Sequence, residues 1–407
     1  MTLEILTFGC RLNLFESEVI RGHAAGLEDT VVVNTCAVTA EAERQCRKAI
    51  GRVHRERPGA RIVITGCAAQ IAPDRWAALP GVHRVLGNQE KLRAESWRAD
   101  APGAVGPIGA ARAHRAHPVV GLAGRARAFI DVQQGCGHHC TFCIIPQGRG
   151  PSRSVPVPDV VQQVRAQAGA GIAEVVLTGV DLASYGGDLT GAPTLGALVH
   201  AVLAGVPDLP RLRLSSLDPA AIDPVLWDAI AGESRLMPHL HLSVQAGSDL
   251  VLKRMRRRHS RAGALAAIAQ ARRLRPGIAI GADLIAGFPT ETAALFAETL
   301  DFIREADLPY LHVFPYSERP GTPAARMPAV PVPERRDRAA RLREAAAAIA
   351  ARFHAEQLGR DVQVVVERGG TAHTEHYAPV RLATPHEVGR LVRARVTATG
   401  AAGLEAG

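Results

Sequence analysis

GCGHHCTFCIIPQGRG, residues 135–150, sets three cysteines and two histidines within nine positions, directly after the apolar run AFIDVQ (128–133). The spacing is Cys136–x3–Cys140–x2–Cys143. Structural zinc needs a closed set of four ligands, and no second CxxC pair follows, so His138 or His139 would have to complete one. A thioredoxin-like dithiol leaves the third thiol unexplained. A cubane iron–sulfur cluster on three thiolates fits better, because its fourth iron stays open to a substrate. The motif also begins where a strand ends, and parallel α/β folds carry their chemistry at that end.

Alternation continues outward from this stretch. Candidate strands are AFIDVQ (128–133), AEVVLTGV (173–180), RLRLS (211–215), HLHLSVQ (239–245), IAIGADLIAGF (278–288) and YLHVFPYS (310–317). Helical segments such as VPDVVQQVRAQAGA and SRAGALAAIAQARRLR fit between them. Six consecutive β/α units predict right-handed crossovers and a closed or open barrel. Upstream, LEILTFG (3–9), TVVVNTC (30–36) and RIVITGC (61–67) each precede a helical stretch and predict a second parallel sheet with covered faces. Residues 99–124, rich in Ala, Gly, Pro and Arg, read as a linker. After the helix RRDRAARLREAAAAIAARFHAEQLG, a Val-rich tail with Gly, Pro and polar turns predicts a small β-barrel. The resulting division is 1–98, linker 99–124, core 125–354 and tail 355–407.

The 407 residues suffice for two or three domains with cores of their own. Apolar and charged contents of 47% and 21% are those of a globular chain. No apolar run reaches the roughly 18–20 residues of a membrane span, and MTLEILTFGC lacks the features of a signal peptide. The expected location is the cytoplasm, where cysteines serve as metal ligands or redox groups more than as disulfides. A net charge of +9 favours a polyanionic partner, although a basic enzyme surface would account for it equally.

Cys10, Cys36 and Cys67 are far apart in sequence, yet each ends a predicted strand: TFGC, VNTC, ITGC. In a parallel sheet those ends share one edge, so the three thiols can converge there. The plainer reading is three buried core cysteines, but the repeated strand-end placement favours a second three-cysteine set. Cys46, inside the helical AEAERQCRKAI, reads as a packing thiol.

With two three-cysteine sets, one of them CxxxCxxC at the start of a partial barrel, the chain resembles the radical S-adenosylmethionine (SAM) methylthiotransferases over nearly its whole length. The resemblance implies an α/β fold: an N-terminal α/β methylthiotransferase domain, a central partial (β/α)6 radical SAM barrel and a small C-terminal TRAM-like β-barrel. It implies two 4Fe–4S clusters, one on Cys136, Cys140 and Cys143 with SAM on its open iron, the other on Cys10, Cys36 and Cys67. Phe142 would lie near the SAM adenine. TGVDLASYG (178–186), LSS (214–216), VQAGSD (244–249) and DLIAGFPTET (283–292) resemble the family's SAM- and substrate-facing segments, with Thr178, Gly179, Asp181, Ser215 and Gln245 as candidate contacts. The plainer reading of each of these five is a polar or glycine residue that merely finishes a barrel strand. Only Pro151 stands between RG and SRS in FCIIPQGRGPSRS, which is similar to the branch acting on N6-threonylcarbamoyladenosine next to the tRNA anticodon. LKRMRRRHSR (252–261) and HVFPYSERPGTPAARMP (312–328) point to the same branch. The alternatives are isopentenyladenosine in tRNA or a ribosomal-protein aspartate. The chemistry implied is radical: reductive SAM cleavage activates an unreactive C2–H, and the second cluster delivers sulfur. No general base is assigned.

The run Lys253, Arg254, Arg256, Arg257, Arg258 and Arg261 follows the HLHLSVQ strand and is a candidate for tRNA phosphates, a solvated helix face being the alternative. The tail's aromatics reduce essentially to Tyr377, which predicts backbone and electrostatic contact with RNA more than base stacking. For His373 and His376 the choice is between RNA contact and exposed polar residues, and the second is the reading taken. Expected partners are tRNA, an electron donor such as a flavodoxin or ferredoxin system, and a sulfur donor of unknown nature, with no membrane. The alternative of another class is a noncatalytic zinc- and RNA-binding protein.

Overall fold

The computed structural model describes residues 3–117, 126–400 and 403–407. Its N-terminal sheet runs β1 (Glu4–Thr7), β2 (Thr30–Thr35), β3 (Arg61–Gly66) and β4 (Val82–Val85), in that spatial order and all parallel. TVVVNT of β2 is buried along its whole length, as a strand covered on both faces must be. Helix Ala40–Glu56 starts at Thr39, whose hydroxyl accepts the Ala42 amide, and carries Glu41 and Glu43 in its first turn. β4 is an addition to the three strands read from the sequence.

Residues 99–117 of the expected linker pack against the fold. Ala104 bridges Leu86 in parallel fashion, and the buried His114 puts Nε2 2.9 Å from Asp131. The remainder of that segment lies outside the described residues.

The central body comprises β5 (Ala128–Gln134), β6 (Arg153–Ser154), β7 (Glu174–Gly179), β8 (Arg211–Leu214), β9 (His239–Gln245), β10 (Ala279–Ala286) and β11 (Tyr310–Pro315). The sheets β6-β5-β7-β8 and β11-β10-β9 meet through the bridges Leu212–Leu236 and Leu217–Leu242. All strands are parallel except β6, which turns back antiparallel on β5. The result is the predicted open barrel of six parallel strands. Alternation assigns its faces: Leu212, Leu214, Leu240, Leu242 and Leu284 join one apolar core with the helices. Their neighbours Arg213, His239, His241 and Asp283 turn to the concave side and meet there.

Helix Val332–Ala355 leads to a closed barrel of β12 (Asp361–Val366), β13 (Thr371–His373), β14 (Pro379–Leu382), β15 (Leu391–Gly400) and β16 (Gly403–Ala406), with strand order β12-β13-β14-β16-β15. Val362, Val364, Val366, Val380, Val396 and Leu404 form its core. This barrel plugs the N-terminal foot of the central one. Arg127, Arg211 and Arg213 surround the buried Glu174. From there Arg213 reaches the Glu375 carbonyl at 3.2 Å, and Arg127 pairs with Glu367. The Tyr377 ring sits under Arg213, Arg127 and Arg11, with the guanidinium carbons 4.9, 5.3 and 5.6 Å from its centre. Arg11 also donates to the Tyr377 hydroxyl at 3.0 Å. His373 and His376, expected as exposed, are instead half-buried in this contact, against Tyr377 and Phe353. The correction has a simple cause: the face that carries them is the docking face.

Burial would raise Glu174, but Arg213 and Arg127 outweigh it and hold the carboxyl at about 2; for Glu367 burial is likewise outweighed, by His373 and Arg127, again to about 2. Folded-state values below the ordinary 4.5 mean stability that is present above about pH 4.5 and lost as pH falls toward 2. Acid titration followed by near-UV circular dichroism should place the loss of docking in that window. Glu174→Gln leaves Arg213 without its carboxylate and takes from Arg127 and Arg211 one of the two that each faces, and should cost about 3–5 kcal/mol in urea unfolding.

Candidate active site

The three N-terminal cysteines gather at one edge of the first sheet. Cys10 caps helix Arg11–His23, Cys36 follows β2 directly, and Cys67 opens helix Cys67–Ile71 at the end of β3. A methyl group on Gly9 would lie 2.8 Å from Cys36 Sγ, so the chain passes this thiol only because residue 9 has no side chain. Burial, then the neighbouring Cys67, pushes Cys36 up to about 12, with a smaller contribution from Cys10. Cys10 is raised by burial and drawn down by Arg149. It is crowded by protein atoms yet open at its surface, as a group lining a cleft is. Cys46 is elsewhere in character: it is fully buried among Val31, Val33, Ile50 and Val53, and burial raises it to about 11.

The second set lies in the loop after β5. Cys136 Sγ accepts the His138 amide at 3.4 Å and lies 3.8 Å from Asp181 Oδ2. Cys143 donates its amide to the Cys140 carbonyl at 3.1 Å, and Arg257 Nη1 approaches Cys140 Sγ at 3.5 Å. Burial pushes Cys136 up to about 12, with Asp181 and then Cys143 and Cys140 adding to it, and Cys143 up to about 11, with Cys140 adding to it. Cys143 also feels Cys67, so the two sets are neighbours.

The stretch between them sets that approach. Helix Ile145–Arg149 packs on helix Cys67–Ile71, and a side chain on Gly148 would begin 3.2 Å from the Cys67 Cβ. The Gly148 carbonyl accepts Asn88 Nδ2 at 2.5 Å. Arg149, fully enclosed, donates to both oxygens of Glu16 (2.8 and 3.1 Å), to Asn13 (2.6 Å) and to Gln134 (2.7 Å). Lys91 closes the same carboxylate at 2.6 Å. Burial would raise Glu16, but Arg149 and Lys91 hold it well below the usual carboxylate range. Asn13, Glu16 and Ser17 are buried on one face of their helix. Polar residues at that spacing are the signal by which LNLFESEVI could have disclosed this contact.

The other expected residues fall around the mouth of the barrel. Thr178 and Gly179 end β7, with Asp181 just beyond, its amide donating to Gln133 at 2.8 Å. His138 Nε2 lies 2.8 Å from Asp181 Oδ2. Ser215 follows β8, and its buried hydroxyl has no hydrogen-bond partner among the described residues. Gln245 ends β9 in a left-handed conformation, φ 70°. Phe142 packs edge-on to Phe288 at 6.5 Å. The basic run is divided. Lys253, Arg256 and Arg258 are exposed. Arg257 turns inward to Cys140, Asp218 and the Ser243 carbonyl, Arg261 clamps Glu305 and the Gly247 carbonyl, and Arg254 binds the Thr290 carbonyl.

Two sets of three soft thiols fit iron–sulfur clusters with incomplete protein ligation. Zinc finds a poorer set: Cys136, His138 and Asp181 bring three donors together, and no fourth joins them among the described residues.

Known proteins match this architecture. Residues 130–303 match the model described as radical SAM superfamily, and residues 2–87 the one described as uncharacterized protein family UPF0004. A threonylcarbamoyladenosine tRNA methylthiotransferase MtaB of Rickettsia prowazekii is 46% identical over 97% of this chain and 94% of its own. The protein of that name from Aquifex aeolicus is 34% identical over 97% and 99%. A tRNA-2-methylthio-N(6)-dimethylallyladenosine synthase of Anaeromyxobacter dehalogenans is 38% identical over 89% and 82%. Among solved structures, the radical SAM methyltransferase TsrM of Kitasatospora setae shares the fold at a TM-score of 0.57 and 16% identity, over 76% of this chain and 66% of that one.

Fold and matches together define the class, a radical SAM protein with a cysteine-bearing α/β domain in front. Within it, the chain belongs to the threonylcarbamoyladenosine tRNA methylthiotransferase family.

A lysine cannot serve four acceptors around a fixed fork. Arg149→Lys should therefore cost about 2 kcal/mol or more, read by urea unfolding of the metal-free chain so that cluster loss does not enter.

Proposed function

We propose that this chain replaces the C2 hydrogen of N6-threonylcarbamoyladenosine in tRNA by a methylthio group, using two 4Fe–4S clusters and SAM. The observation that carries the reading is the meeting of two three-cysteine sets across Gly148 and Arg149, in a chain 46% identical to a relative of that name. Cys136, Cys140 and Cys143 would hold one cluster, and Cys10, Cys36 and Cys67 the other. When bound, SAM and the clusters supply the radical and the sulfur that no side chain provides. The residues' own tasks are simpler. Arg257 sets a positive charge at Cys140 and is itself held by Asp218. Thr178, Asp181, Ser215 and Gln245 edge the mouth in which SAM would lie, with Phe142 beside its adenine. The influence of Cys67 on Cys143 supports two sets that are neighbours.

The corresponding division of labour assigns 1–98 to sulfur delivery, 125–354 to radical generation and 355–407, with the exposed Lys253, Arg256 and Arg258, to tRNA. A flavodoxin- or ferredoxin-type donor would supply electrons, and the cytoplasm would be the site of action. No helix among the described residues is long and apolar enough to cross a membrane.

Nucleoside mass spectrometry of tRNA from a deletion strain should show loss of the 2-methylthio derivative while threonylcarbamoyladenosine persists. Loss of the dimethylallyl analogue instead would reassign the substrate. Anaerobic reconstitution should load about eight iron atoms per chain. Cys46→Ala should retain them and Cys67→Ala should lose about half; equal losses would remove Cys67 from the ligand set. Lys253→Ala and Arg256→Ala should each lower the salt slope of tRNA binding by about 1.

A further inference from the structure

Below the mouth of the barrel lies a group the radical chemistry does not use. His241 on β9, Asp283 on β10 and His312 on β11 bring their donor atoms within 4.8 Å of one another on the concave face. His241 Nε2 and His312 Nδ1 both address Asp283 Oδ1, at 2.9 and 3.3 Å, with the two rings 4.6 Å apart. Ser216 donates to the other carboxylate oxygen at 3.3 Å and shares a 2.7 Å hydrogen bond with Ser243. Room for His241 comes from Gly281 directly opposite, where a Cβ would stand 2.6 Å from its ring. Asp283 thus has both oxygens occupied, and its Oδ1 takes the Nδ1 side of the His312 ring. The free Nε2 edge of His312 is turned outward, and the side chain is 61% exposed.

Among the described strands β11 pairs with β10 alone and so ends the sheet, while Arg343 of helix Val332–Ala355 donates to its Val313 carbonyl at 2.7 Å. Two residues along the strand from His312, on the same face, Phe314 is 44% exposed. A solvent-exposed aromatic on such a strand is a stacking platform for a base taken out of its helix. His312 lies about 7 Å further down the strand and Gln245 about 13 Å above His241, at roughly 3.3 Å per residue. That depth suits an adenine whose C2 faces the cluster loops while its N6 substituent reaches toward the triad.

Resting on the function proposed above, we propose that Phe314 and the His241–Asp283–His312 triad form the pocket that selects the substrate base, with His312 Nε2 binding the carboxylate of its threonylcarbamoyl group. Burial would raise Asp283, but hydrogen bonds from His241 and His312 outweigh it and hold the carboxyl below the usual carboxylate range, so a negative charge stands behind His312. A carboxylate ligand is met by the ring form that carries a donor on each nitrogen. A dimethylallyl tail has neither charge nor acceptor and would leave these groups unpaired.

The test uses the reconstituted full chain and three tRNA substrates: one bearing threonylcarbamoyladenosine, one its carboxamide analogue, one dimethylallyladenosine. Wild type should prefer the acid over the amide by about tenfold or more in kcat/KM, carried in KM. His312→Ala and Asp283→Asn should bring that ratio close to one, at wild-type iron content, and His312→Gln should restore none of it. Equal use of acid and amide by wild type, or an unchanged ratio in His312→Ala, overturns the inference alone. Wild-type activity confined to dimethylallyladenosine overturns the proposed function and the inference with it. A bound divalent metal beyond cluster iron, lost in His312→Ala, would overturn it in favour of a metal site.

Discussion

Arg149 and Glu16 form the contact on which the site depends. One residue belongs to the end of the cysteine motif, the other to the first helix of the N-terminal domain, and both are out of water. Two charges in that position are tolerable only with complete hydrogen bonding, and Asn13, Gln134 and Lys91 complete it. The geometry is directional, since a guanidinium fork and a carboxylate meet in one plane. It therefore fixes the angle and depth at which one sheet edge meets the other, in a way that apolar packing would not. Gly148, next to Arg149, lets the backbones close until Cys67 faces the second cysteine set. The arrangement also leaves Arg149 and Lys91 against one carboxylate, so an excess positive charge faces thiols that would be anionic once ligated.

The foot of the barrel is closed by the same kind of device on a larger scale. Glu174 begins β7, and three arginines from β5's approach and from β8 converge on it before reaching into the C-terminal barrel. Tyr377 is held beneath three cations contributed by two other parts of the chain. The C-terminal barrel is thus anchored by charge and by one aromatic ring.

Much of the scaffold was legible because strand periodicity is local. RLRLS and HLHLSVQ alternate in i, i+2, and the structure sends Leu212, Leu214, Leu240 and Leu242 to the helices as that pattern requires. The strand-end positions of Cys10, Cys36 and Cys67 were readable for the same reason. β4 was not, because VHRV is short and half-exposed and carries little pattern. The six-cation run looked uniform in sequence, yet Arg257 and Arg261 are turned to Cys140 and Glu305 while Lys253 and Arg256 face water. Arginine's charge is visible in a sequence, but the acceptor it finds belongs to residues far along the chain.

The sequence by itself determined the order of elements, the open parallel barrel, the terminal β-barrel and which cysteines stand at strand ends. Each of these follows from hydrophobic periodicity and turn residues acting over a few positions. Only the tertiary structure decided that Cys67 stands beside Cys143, that residues 99–117 pack against the fold, that Tyr377 is consumed in docking, and that His241, Asp283 and His312 share one point in space. Those outcomes depend on how elements tens to hundreds of residues apart close on one another. That closure is set by a few buried polar contacts, such as Glu16 with Arg149, whose partners no local pattern names.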